Sequence, residues 1–137
     1  MMEDKRKLKE IYNCDYIVSD EELYPLQKWY NKLIDKAVND ITMADILRMM
    51  RQKVFLDLAM EKAMDFLQDS VFAGEIYEGE LLAKIAEMDT SFLNPYADKL
   101  KDILKNASDI SEMHEWSYDG EKEEFSEIIN SITLKII

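Results

Sequence analysis

Apolar side chains recur along most of this sequence at intervals of three and four, and the whole chain of 137 residues offers only three glycines and two prolines to interrupt them. That period places them on one face of an α-helix, whereas a half-buried strand would need strict alternation. With 47% hydrophobic and 34% charged residues, the composition favours regular elements over disorder. The expected fold is all-α, a compact single-domain bundle of about six to seven short helices spanning residues 1–137. The length suits one hydrophobic core and divides poorly into two. No repeat of fixed period is present, which sets solenoids aside.

Residues 3–12 read as a surface helix with Leu8, Ile11 and Tyr12 on one side. Ser19 or Asp20 is the expected cap of a second helix, which carries Leu23, Leu26, Trp29, Tyr30, Leu33 and Ile34 and tolerates Pro25 only in its first turn. Asn39 and Asp40 interrupt the pattern, and Thr42 with Asp45 resembles a capping box. The helix they start should bend near Gln52 or Lys53 before the period resumes from Val54 to Leu67. Met49, Met50, Met60 and Met64 fit a core better than an adaptable groove. Residues 72–80 form a turn-rich connector holding Gly74 and Gly79. Beyond it, residues 80–88 should bury Leu81, Leu82, Ile85 and Met88 before a stop at 89–91. Asn94 and Pro95 then open another helix through Leu100, Ile103 and Leu104. Residues 125–137 start with helical spacing and end nearer alternation, which predicts a helix followed by a docked, extended tail.

Lys and Arg number 17 against 29 Asp and Glu, a net charge of −12. Phosphate backbones would be repelled, so direct nucleic-acid binding is not expected. Such an excess suits solubility or a basic protein partner, and charge alone does not choose between them. Between 106 and 130, eight acidic residues face Lys122 alone, a net of −7. No apolar run reaches the roughly 18 to 20 residues that span a bilayer, and the first fifteen residues lack a signal-peptide core. The expected location is cytoplasmic, without membrane insertion. Cys14 is the single cysteine, which excludes an intrachain disulfide and suggests a semi-buried structural thiol.

Catalytic constellations are missing: no Gly-rich phosphate loop, no His-Glu-x-x-His, no cysteine pair and no Gly-x-Ser-x-Gly. The chain is therefore not expected to be an enzyme or to hold a cofactor. His114 is the sole histidine, and Ser111 three residues earlier breaks the Glu-x-x-His pairing of helical di-metal sites. Glu75, Glu78 and Glu80 read as solvated loop acids rather than a catalytic carboxylate pair. Residues 114–119 place Trp116 and Tyr118 among carboxylates. They resemble the anchors and rim of a protein interface, or they plug the end of the core. Arg48 and Arg51 either meet a partner or pair internally, and internal pairing is the simpler reading.

The stretch Thr42-Met-Ala-Asp-Ile-Leu-Arg-Met-Met-Arg-Gln52 and the later Gly74-Glu-Ile-Tyr-Glu-Gly-Glu-Leu-Leu82 resemble the immunity proteins of bacterial contact-dependent growth inhibition (CDI) systems. The likeness covers about 41–89 and rests on a Thr-x-x-Asp-Ile helix start, the Arg51-Gln52 pair and a Gly-x-x-Tyr-x-Gly-acid-Leu-Leu turn. It implies an all-helical protein that binds a cognate toxin domain, often a nuclease, and blocks its active site or substrate access. An acidic surface would complement a basic nuclease. The candidate contact residues are Glu75, Glu78, Glu112, Glu115, Trp116, Tyr118, Asp119, Glu121, Glu123 and Glu124. The competing expectation is a helical adaptor or regulatory subunit that takes a peptide or protein partner in an apolar groove. The oligomeric state is left open.

Overall fold

The computed structural model describes residues 5–17 and 25–136. Among them are eight α-helices and two 3-10 turns, and no strand. Six of the helices exceed a single turn, so the all-α expectation is borne out. The chain divides into two compact units, Met1–Asp45 and Ile46–Ile137.

In the first unit, α1 (Leu8–Ile11) and α2 (Pro25–Ile34) bury Leu8, Leu33 and Ile34, with Val38 and Ile41 following in the turn after α2. Pro25 opens the described part of α2, where its missing N–H costs nothing. The expected caps Ser19 and Asp20, and Leu23, lie outside the described residues. Leu8 donates its amide to the Lys36 carbonyl and Val38 donates to Arg6, which pins the chain before α1 alongside the turn after α2. Tyr16 donates its hydroxyl to Asp35 at 2.6 Å, Lys9 pairs with Asp35 at 2.9 Å, and Asn31 exchanges two hydrogen bonds with the Ile17 backbone. Cys14 is half-buried, as expected.

Helix α3 (Met43–Gln52) begins with a reciprocal cap. The Thr42 amide donates to the Asp45 carboxylate at 3.0 Å, and the Asp45 amide donates to the Thr42 hydroxyl at 3.2 Å. Lys36, which the capping pattern does not reveal, adds an ammonium 2.6 Å from the same carboxylate. Burial works to raise the Asp45 pKa, but the Lys36 and Thr42 hydrogen bonds outweigh it and hold it below the usual value.

In the second unit the anticipated bend is a complete break. The Lys53 amide donates to Met50 and the Val54 amide to Met49, the bond pair of a Schellman turn with Lys53 at the left-handed position, φ 57°. Phe55, at φ 48°, then leads into α4 (Leu56–Asp69). After the connector come α5 (Glu80–Ala86), α6 (Thr90–Leu93) and α7 (Ala97–Ser111). Two expectations shift here. Residues 89–91 start the short helix α6 rather than only ending α5, and Asn94-Pro95 enter a 3-10 turn that delays α7 by one turn.

Helix α8 (Glu121–Ile136) packs on α5, α6 and α7, and α7 also meets α4. Its buried Phe125, Ile129, Ile132 and Ile136 hold helical spacing to the end, so the expected extended tail is helical throughout its described part. Lys135 reaches from this helix to the carbonyls of Ala86 and Met88, where a cation offsets the unsatisfied acceptors at the end of α5. Met49, Met50, Met60 and Met64 are core residues, as the spacing predicts. Among the described residues no helix is long and apolar enough to cross a membrane.

Candidate functional site

The connector between α4 and α5 folds back on itself instead of trailing through solvent. Gly79 donates to the Phe72 carbonyl and Leu81 to that of Ala73, closing the loop at its base. Glu80 closes it from inside: its carboxylate accepts the amides of Glu75 and Ile76 at 2.8 and 2.9 Å. With only 7% of its surface exposed, Glu80 is no solvated loop acid, contrary to the sequence reading. A side chain aimed inward satisfies two amides that the turn leaves without carbonyl partners. Gly74 has no room for a methyl group, since a Cβ there would sit 2.3 Å from the Tyr77 carbonyl oxygen. Gly79 adopts φ 82°, a conformation costly for other residues.

Residues 112–120, joining α7 to α8, lie beside this connector on a cluster of rings. Phe72 stacks on His114 with centroids 4.1 Å apart, Trp116 meets both edge-on, and Phe125 of α8 closes the group 5.3 Å from Phe72 and from Trp116. Trp116 donates its indole N–H to the Ser111 carbonyl at 3.2 Å. Its place in the cluster supports the core-plug reading for this residue. His114 is packed rather than free, and its Nε2 meets the Glu78 carboxylate, linking the two loops across 36 residues of sequence. Edge-on aromatic pairs add of order 1 kcal/mol each beyond area burial, so this cluster fixes one loop against the other.

Above the rings the loops enclose an open depression of about 480 Å3, lined by Phe72, Gly74, Glu75, Ile76, Tyr77, Glu78, Ser117, Tyr118 and Glu121. Three carboxylates and no lysine or arginine face it. Ile76 is 83% exposed, Tyr77 50% and Tyr118 53%, a concentration of wet apolar surface unusual for side chains of this size. Tyr118 donates to Glu124 at 2.6 Å, and that hydrogen bond, with burial and the charges of Glu124 and Glu121, pushes its pKa up to about 12. Burial first, then Glu80 and Glu87, also raises Tyr77. Both rings therefore stay neutral hydroxyl donors at physiological pH. Glu121 accepts the Ser117 amide at 2.7 Å.

Of the ten residues expected at an interface, Glu75, Glu78, Tyr118 and Glu121 line the depression. Trp116 lies in the ring cluster, Glu112 is paired with Lys122 at 2.9 Å, and Glu124 holds Tyr118. Glu115, Asp119 and Glu123 are exposed without entering the lining. Ile76 and Tyr77 were missed, although two apolar residues inside an acidic turn-rich segment are themselves a signal of exposed anchors. Among the described residues no group of three or more His, Cys, Asp or Glu side chains is arranged to hold a metal ion.

An all-helical chain with two loops clasped around an acidic, aromatic depression has the features of a protein-binding module. The family model of CDI immunity proteins matches residues 10–103, more than half of the chain, and the chain belongs to that family. The match takes in the connector with Glu75, Ile76, Tyr77 and Glu78, and ends before the 112–120 loop. No curated protein matches the sequence.

Proposed function

We propose that this protein neutralises a CDI toxin by occupying it without catalysis, and that the acidic depression is the surface that meets the toxin. The observation that carries the reading is the convergence of Glu75, Glu78 and Glu121 around exposed Ile76, Tyr77 and Tyr118, with no basic side chain in the lining. Apolar and aromatic anchors set among one sign of charge fit an interface whose partner is basic. A nuclease that grips a polyanion supplies such a surface, so the toxin is taken to be a nuclease whose active site or substrate path the depression covers. The whole chain, 1–137, then serves as one immunity domain acting in the cytoplasm. A family match running across the boundary at Asp45 supports that extent.

The test is co-expression with the toxin domain encoded beside this gene, scoring survival and co-purification together. Rescue with a stable complex is expected. The triple variant E75K/E78K/E121K should slow association by about 10- to 100-fold at low salt, with the difference shrinking as ionic strength rises. A folded protein that neither rescues nor binds would overturn the immunity reading. A complex whose association rate ignores the three reversals would remove the depression from the interface.

A further inference from the structure

Basic side chains are outnumbered in this chain, 17 against 29 acidic ones, yet three of them share one small cleft. Arg51 and Lys53, at and just beyond the end of α3, and Lys84, in the last turn of α5, line a hollow of about 190 Å3 with Met50, Met88 and Glu87. Met50 and Met88 are buried and form its apolar lining, while Arg51 and Lys53 are exposed. Despite 29 acidic residues, neither Arg51 nor Lys53 has a side-chain partner among the described residues, and Lys84 reaches only Glu87, at 3.9 Å. Internal pairing, the simpler sequence reading for Arg48 and Arg51, gives Arg51 no partner among the described residues, whereas Arg48 is not free.

Cations gather at helix C-termini to offset the helix dipole, which would make the cluster merely structural. Two observations weigh against that reading. The carbonyls at the end of α5 are already taken by Lys135, through Ala86 and Met88. Moreover, Lys53 occupies the left-handed position of the Schellman turn, where glycine is favoured and a side chain costs about 1 kcal/mol. A strained residue that carries an unpaired charge into a cleft points to a binding role.

We infer that the Arg51–Lys53–Lys84 cleft is a second docking site, which receives a carboxylate-bearing side chain of a protein partner. The guanidinium offers the planar fork that carboxylates take in a bidentate manner, and the two ammonium groups add donors on either side. The methionines suit the aliphatic stem of a glutamate better than the hydration shell of a phosphate. Glu87, at the edge, disfavours a dianion more than a single carboxylate. This inference rests on the protein-binding reading above, with the cleft as a contact of opposite sign to the acidic depression.

The experiment needs no toxin. The 15N-labelled protein is titrated at constant ionic strength with a blocked peptide carrying a single glutamate, and in parallel with inorganic phosphate. Saturable shifts at residues 50–54 and 84–88 with the peptide, and weaker ones with phosphate, are expected. Arg51→Glu should weaken peptide binding about tenfold or more, and Arg51→Lys less, since a point charge replaces the fork. Lys53→Gly separates binding from folding: it should raise thermal stability by relieving the left-handed strain while lowering affinity for the peptide. Shifts elsewhere, an equal or stronger response to phosphate, or a stabilised Lys53→Gly protein with unchanged peptide affinity would overturn the carboxylate site. None of these outcomes bears on toxin rescue, so the two readings fail separately.

Discussion

The unit up to Asp45 and the unit beyond it are held together by different physics. Five apolar side chains are buried among the described residues of the first, against twenty-four in the second. The smaller unit compensates with polar fastenings: the Lys9–Tyr16–Asp35 triangle, the Asn31 clasp on Ile17, and the Lys36–Asp45–Thr42 cap. The larger unit relies on side chains from α5, α6 and α7 closing on α8, and spends its polar groups on ends and loops. Apolar burial is indifferent to pH, whereas hydrogen-bonded charges are not. The first unit should therefore respond to solution conditions before the second.

The largest effect that would break this comparison lies in the second unit. Ile132, fully buried on α8, should cost about 2–5 kcal/mol when replaced by alanine, because the cavity adds to the lost transfer energy. Chemical denaturation of Ile132→Ala should report that loss and leave the protection of amides 8 and 38 against hydrogen exchange nearly unchanged. A loss below 1 kcal/mol would mean that α8 is not the packing centre. A smaller effect is expected at Glu80, the one carboxylate that the second unit buries among the described residues. Glu80→Ala leaves the Glu75 and Ile76 amides without their acceptor and should cost about 1–3 kcal/mol. Because the damage falls on the connector, amides 75–79 should exchange faster while those of α7 do not. If the proposed interface holds, toxin binding should then fall along with the connector, although the Glu80 side chain is itself buried.

Legibility in the sequence follows the range of the interactions. The Thr42–Asp45 cap and the buried faces of α4, α5 and α7 are read from residues a few positions apart, and the structure bears each of them out, whereas the bend expected near Gln52 or Lys53 is a full break between two helices. The end of α8 was misread because Leu134, an apolar residue left 74% exposed, turned a helical pattern into apparent alternation. Thr133 gave no warning, since its hydroxyl bonds the Ile129 carbonyl within the helix. At the candidate site, the acidic segment was visible, but not which acids are free. Glu80 turns inward and Glu112 is neutralised by Lys122, and neither outcome is decided until the chain folds back. The cluster of Phe72, Trp116 and Phe125 joins residues more than forty positions apart in sequence, beyond any periodicity argument.

The smallest effect, and the one that sharpens the comparison most, is the pH response of the first unit. Asp45 is held below its ordinary pKa by Lys36 and Thr42 against the opposing effect of burial, and Asp35 is held low by Tyr16 and Lys9. For groups depressed on folding, the stabilisation is complete above the unfolded value, about 4, and is lost as pH falls through the lower folded value. Lys9, raised by Asp35 and Tyr16, behaves in the opposite sense: its contribution is complete below its unfolded value of 10.5 and is lost as pH climbs through the higher folded one. The polar network is thus bounded on both sides, and the acid limit falls within reach of ordinary experiments. Between pH 5 and about 3, amides 8, 38, 42 and 45 should lose protection before those buried beside Ile132. Asp45→Asn, which keeps the shape but removes the charge, should lower stability by about 1–2 kcal/mol at pH 7 and by less at pH 3, below the ordinary aspartate value, where the unfolded wild-type chain takes up the proton. If the two proteins differ equally at both pH values, the cap acts through geometry alone, and the charge that distinguishes the first unit from the second contributes nothing to its stability.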